Sequence, residues 1–67
     1  MARIPLAAAR VAKGWTQSEL AEKLGISKQL VWEWENGKSK MKPVYLYAFC
    51  HISGFSVDDI LLPEELN

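Results

Sequence analysis

Side chains suited to making and breaking covalent bonds are scarce in this chain. Cys50 is the only cysteine and its neighbour His51 the only histidine, which leaves no disulfide framework and no set of residues with zinc-ligand spacing. No nucleophile stands in pattern with a base, no glycine-rich phosphate loop occurs, and no catalytic residue, metal or cofactor is expected. Cys50 falls on the inward face of an apolar helical stretch and reads as an inert core residue. Chemistry of another kind is concentrated in residues 17–36, QSELAEKLGISKQLVWEWEN. There Gln17, Ser27, Lys28, Gln29 and Glu33 offer amide, hydroxyl, ammonium and carboxylate groups at the starts and outer faces of two short helical stretches. Groups of this kind make reversible, directional hydrogen bonds to an external polar surface.

The elements that must hold these groups are readable from their punctuation. Gly14, Gly25, Gly37 and Gly54 each stand where a helix can end in a left-handed residue. A first helix is predicted over residues 5–13, with Pro5 in a first turn that has no use for its missing N–H. Thr16 and Glu19 form a capping box at the head of a second helix, 17–24. Ser27 caps a third over 28–36. The polar run 38–42 is a loop, and Pro43 opens a fourth helix, 43–53. A second capping box, Ser56 with Asp59, heads a short fifth helix over 57–62, where Asp58 and Asp59 complement the positive helix end and Pro63 stops it. Apolar positions fall three and four apart and do not alternate, so no strand is expected. Leu20, Leu24, Val31 and Trp34 should meet in one core, closed from the other side by Leu46, Phe49, Cys50, Ile60 and Leu61. The fold class is therefore all-α: a single domain built as a compact five-helix bundle.

Two short helices joined by a tight turn cross closely. They need a small residue at the contact and a glycine at the turn, and Ala21 and Gly25 supply them. With Leu20, Leu24, Ile26, Val31 and Trp34 holding the pair together, Ser27, Lys28, Gln29 and Glu33 remain on the outer face of the second member. This is a helix-turn-helix pattern, whose second helix enters the DNA major groove with its N-terminal residues at base edges. Composition agrees with a small soluble domain. Of 67 residues, 49% are hydrophobic and 24% charged, which argues against disorder. No apolar run is long enough for a membrane span, and residues 1–6 lack the apolar run of a signal peptide, so the expected location is the cytoplasm and no membrane partner is expected. The formal net charge is zero, yet residues 1–55 carry all eight bases against four acids. Asp58, Asp59, Glu64 and Glu65 sit beyond them with no base. A chain polarised in this way can present a positive face to phosphate.

From about Arg10 through GWTQSELAEKLGISKQ to WENGK, then through Ser53-Gly54 to FSVDDIL, the sequence resembles the lambdoid phage repressor and Cro group and its bacterial relatives of the xenobiotic-response-element type. The resemblance spans roughly residues 6–62. It implies a lambda-repressor-like five-helix fold that binds double-stranded operator DNA, usually as a homodimer. By position it implies phosphate contacts for Gln17 and Ser27, base contacts for Lys28 and Gln29, and a phosphate-following loop containing Lys38, Lys40 and Lys42. A lysine can donate to guanine O6 and N7, and a glutamine can pair with adenine N6 and N7. Glu33, one turn further on, could accept from cytosine N4. Arg10 and Glu35 match an internal ion pair that ties helix 1 to the end of helix 3. Against the family pattern, the loop over 37–43 is a residue or two longer, and Leu30 and Trp32 replace small or polar residues.

Trp32 lies beside Glu33 and away from Val31 and Trp34, which places it at least partly in solvent. It either folds back against Lys28 or the loop, or serves as an anchor on a thymine methyl or in a partner's pocket. Tyr45 and Tyr47 read as helix-surface aromatics or as part of a dimer contact. The leading functional reading is a sequence-specific transcriptional regulator, a Cro-like repressor from phage or bacterium that occupies an operator with helix 3 in the major groove. The alternative is a protein-interaction module on the same fold, antirepressor or antitoxin-like, that binds another regulator through helix 3.

Overall fold

A computed structural model describes residues 3–62. The elements run β1 (Ile4–Pro5), α1 (Leu6–Ala12), α2 (Gln17–Leu24), α3 (Lys28–Glu35), α4 (Pro43–Ser53), a single 3-10 turn (Val57–Asp59) and β2 (Ile60–Leu61). Each helix boundary has a local cause. At the head of α2 the Thr16 hydroxyl accepts from the Glu19 N–H at 3.0 Å, and the Glu19 carboxylate accepts from the Thr16 N–H at 2.9 Å, so two backbone donors that a helix start leaves free are satisfied reciprocally. Ser27 does half of this for α3, its hydroxyl accepting from the Leu30 N–H at 3.1 Å. Between the two helices Gly25 takes φ +71°, and the Ile26 N–H closes back onto the Ala21 carbonyl at 2.9 Å. A side chain at Gly25 would meet no atom within 4 Å. The turn therefore needs glycine for its backbone angle and not for space.

α2 and α3 form the helix-turn-helix pair, with Ala21 buried at 4% exposure where the sequence required a small residue. Leu20, Val31 and Trp34 from this pair meet Phe49 of α4 and Ile60 of β2 in the core, while Leu24, Leu46 and Cys50 pack partly buried against it. Leu61 is half-buried. Four core members escaped the sequence reading: Leu6 and Ala9 of α1, Met41 and Leu62. Met41 is the least expected, since it sits in the lysine-rich loop; at 5% exposure it pins that loop to the core. Trp34 stacks at a tilt on Tyr45, with 5.4 Å between ring centroids. Trp15 meets Phe49 edge-on at 6.3 Å. Tyr45 is thus half-buried, whereas Tyr47 is 60% exposed.

Among the described residues the five-helix expectation is corrected to four α-helices and a two-stranded parallel sheet. Residues 57–62 begin as foreseen, with the Asp59 carboxylate accepting from the Ser56 N–H at 2.9 Å. After one 3-10 turn, however, the chain extends, and Ile60 pairs with Ile4 and Leu61 with Pro5. The physical reason is burial. In extended form Ile60 and Leu62 point to one side and are buried, while Leu61 is only half-buried. A six-residue helix could not offset its nucleation cost, and the residue before a proline avoids helical angles. The Arg3 guanidinium fastens the pairing by donating to the Ile60 carbonyl at 2.8 Å. Pro5 accordingly stands at the N-cap of α1 with ψ 151° and not in its first turn. Pro63 as a stop signal, and the acidic Glu64 and Glu65, lie outside the described residues.

Candidate nucleic-acid interface

The outer surface of the helix-turn-helix pair rests on a polar network beneath it. Arg10 of α1 donates from Nε to Glu35 Oε2 at 2.7 Å and from Nη2 to Glu35 Oε1 at 3.2 Å. Its Nη1 donates to the Trp15 carbonyl at 2.7 Å. Both partners are largely shielded, at 13% and 6% side-chain exposure. Gln17 joins the same carboxylate, donating from Nε2 to Glu35 Oε1 at 3.0 Å. One buried acid thus ties together α1, the start of α2 and the end of α3. A two-pronged guanidinium–carboxylate pair fixes orientation as well as distance, so Gln17 is held at a set place at the head of its helix.

At the head of α3 the arrangement is the opposite. Ser27, Lys28 and Gln29 are exposed, and with Gln17 and Trp32 the last two of these line a concavity of about 320 Å³. Trp32 is 40% exposed. Gln29 Nε2 makes a long contact of 3.3 Å to Glu33 Oε2, at the upper limit of a useful hydrogen bond. Among the described residues no acid pairs with the Lys28 ammonium. The surface here is rich in donors, with an indole as its one large apolar element.

Glu33, expected to reach a base, has its carboxylate in contact with the chain itself. Its Oε1 accepts from the Ser39 hydroxyl at 2.9 Å, its Oε2 faces Gln29, and its carbonyl accepts from the N–H groups of Lys38 and Ser39 at 2.8 and 3.4 Å. Both carboxylate oxygens are engaged within the chain. Glu33 fastens the loop after α3 to that helix. That loop brings Lys38, Lys40 and Lys42 to the surface, all three exposed and without an acidic partner among the described residues. Lys40 and Lys42 line a second groove of about 340 Å³ with Leu30, Trp34, Ser39 and Tyr45. Leu30 is therefore half-buried at the groove floor and does not stand free on the outer face.

Trp15 and Ser39 are site-building residues that the sequence reading missed. Ser39 carries no local signal, because its partner Glu33 is six residues away. Trp15 could have been suspected from its place between a glycine and a capping threonine; its ring lies 5.0 Å beneath the Lys23 ammonium, and its carbonyl completes the Arg10 network.

Among the described residues two titrating groups are shifted. Glu19 is held below its usual carboxylate range, first by the Thr16 backbone N–H, then by the Thr16 hydroxyl, with a smaller contribution from Lys23. Burial pushes the Cys50 thiol up, and Asp59 adds to that. Among the described residues no group of three or more potential ligands could hold a metal ion, and no helix is long and apolar enough to cross a membrane.

The sequence matches a family model described as helix-turn-helix over residues 6–60, a span that begins at α1 and ends at the first residue of β2.

Proposed function

The chain belongs to the Cro/CI-type helix-turn-helix family of DNA-binding transcription regulators, and on that premise we propose that it is a repressor that occupies an operator with the head of α3 in the major groove. The observation that carries this reading is the cluster of Lys28, Gln29 and Trp32 beside Gln17 on one exposed concavity, backed by a buried network that fixes the two helices. Lys28 donates to guanine O6 and N7, and Gln29 exchanges its weak intrachain contact for a paired contact with adenine N6 and N7. Gln17 and Ser27 lie at helix N-termini, where free backbone N–H groups favour phosphate. Lys38, Lys40 and Lys42 follow the backbone, positioning the protein without reading sequence. Glu33 is a positioning residue that couples the reading helix to the lysine loop.

In this reading the protein acts as a symmetric homodimer, its two copies of α3 entering half-sites about one helical turn, ~34 Å, apart. The test is selection of bound duplexes from a random library. A recovered motif with two-fold symmetry is expected; no enrichment over input sequence would reject the proposal. A second reading, a module that captures another regulator through α3, draws on the exposed Trp32 and the zero net charge. It requires that the selection fail.

A further inference from the structure

The reading helix carries one large and mostly apolar group among its hydrogen-bonding ones. Trp32 is 40% exposed, and its neighbours around the concavity, Gln17, Lys28 and Gln29, are all polar. The other large exposed hydrophobics among the described residues are Val11, Val44, Tyr47, Ile52 and Val57. They lie on α1, α4 and the 3-10 turn, so nothing on α2 or α3 extends the indole into a patch of the size a protein partner covers. Its surroundings suit a small apolar group set among polar ones. Among base edges in the major groove, the apolar group is the C5-methyl of a pyrimidine.

The spacing places that methyl. Lys28 and Trp32 are four apart on α3, so their Cβ atoms are about 5–6 Å apart on one helical face, and successive bases rise about 3.4 Å. With the Lys28 ammonium on one base pair, the indole reaches the next. We propose that Trp32 reads a C5-methylated pyrimidine in the base pair adjoining the one Lys28 contacts, accepting thymine and 5-methylcytosine alike and disfavouring unmethylated cytosine. This rests on the repressor reading above and adds to it a regulatory input: where an operator carries cytosine at that place, cytosine methylation raises occupancy.

The test uses the full chain and the duplex recovered from the library. Each thymine is replaced in turn by deoxyuridine, which removes only the methyl. At one place per half-site the wild-type protein should bind about four-fold more weakly, the worth of one buried methyl. Trp32→Ser should bind thymine and uracil duplexes equally. A cytosine–guanine pair is then installed at that place, with and without the C5-methyl; methylation should tighten wild-type binding by about the same factor and leave Trp32→Ser unmoved. The wild-type uracil scan does not depend on the variant folding. A flat scan, or an equal uracil penalty in Trp32→Ser, overturns the inference and leaves the repressor reading standing. If the library yields no motif, the repressor reading itself fails and the inference falls with it.

Discussion

The two ends of α3 are built on opposite principles. At its C-terminal end Trp34 and Glu35 face inward, and the Glu35 carboxylate accepts from Arg10 and Gln17. At its N-terminal end Lys28 and Gln29 face outward, with no ion pair for the lysine among the described residues and only a 3.3 Å contact for the glutamine. Polar groups that hold a fold together must be satisfied within it, because an unpaired buried charge is costly. Polar groups that recognise an external surface must keep their donors available. One helix of eight residues carries both kinds of end, and Glu33, between them, links the outward-facing end to the lysine loop.

Removing a group from each end should separate the two roles. The largest effect is expected from Glu35→Ala, which strands the shielded Arg10 charge and should destabilise the fold by ~3–5 kcal/mol; chemical denaturation would measure it. In so small a domain that could unfold it. A midpoint close to the parent's would mean that the network does not hold the helices. Next in size, Lys28→Ala and Gln29→Ala should each lose ~1–3 kcal/mol on the selected duplex and much less on random DNA, with stability unchanged. Equal losses on both duplexes would remove these residues from base reading.

The capping box gives a smaller effect, with a pH signature. Thr16→Ala should cost ~1 kcal/mol of stability. The Glu19 carboxyl is lowered in the folded state from its ordinary 4.5, so its contribution is fully present at neutral pH. It declines as pH falls below about that value and is lost once pH passes through the lower folded one. Because the Thr16 backbone N–H is the first cause of the shift and survives the substitution, an NMR titration of Glu19 should still find the carboxyl lowered in Thr16→Ala. A return to 4.5 would assign the shift to the hydroxyl. Smallest of all, Lys40→Ala or Lys42→Ala should weaken every sequence alike and reduce the salt slope by about one unit for each phosphate that is no longer neutralised. An unaltered slope would place that lysine off the duplex.

The helix-turn-helix half of the molecule was legible because its signals are local. Capping boxes, a glycine at the turn and apolar spacing of three and four act over one or two turns, and they set the limits of α2 and α3 to within a residue. The end of the chain was not, because β2 exists only through its partner β1, fifty-six residues away by the Ile4–Ile60 register. Its apolar run Ile60, Leu61, Leu62 fits a helix as well as a strand until Ile4 is placed beside it. Met41 was hidden for a similar reason, since lysines surround it and the core it enters comes from elsewhere. Within the site, the residue types and their outward direction were readable at Lys28, Gln29 and Trp32. The engagement of Glu33 was not, because it depends on how the loop carrying Ser39 turns back.

The central claim is that the head of α3, and not the exposed apolar face of α4, meets DNA. An NMR titration of the isotope-labelled chain with the selected duplex tests it directly. Signals of Gln17, Ser27, Lys28, Gln29, the Trp32 indole and the loop bearing Lys38, Lys40 and Lys42 should shift first and most, while those of Val44 and Tyr47 stay in place. Shifts centred on Val44 and Tyr47, with the head of α3 silent, would contradict the account.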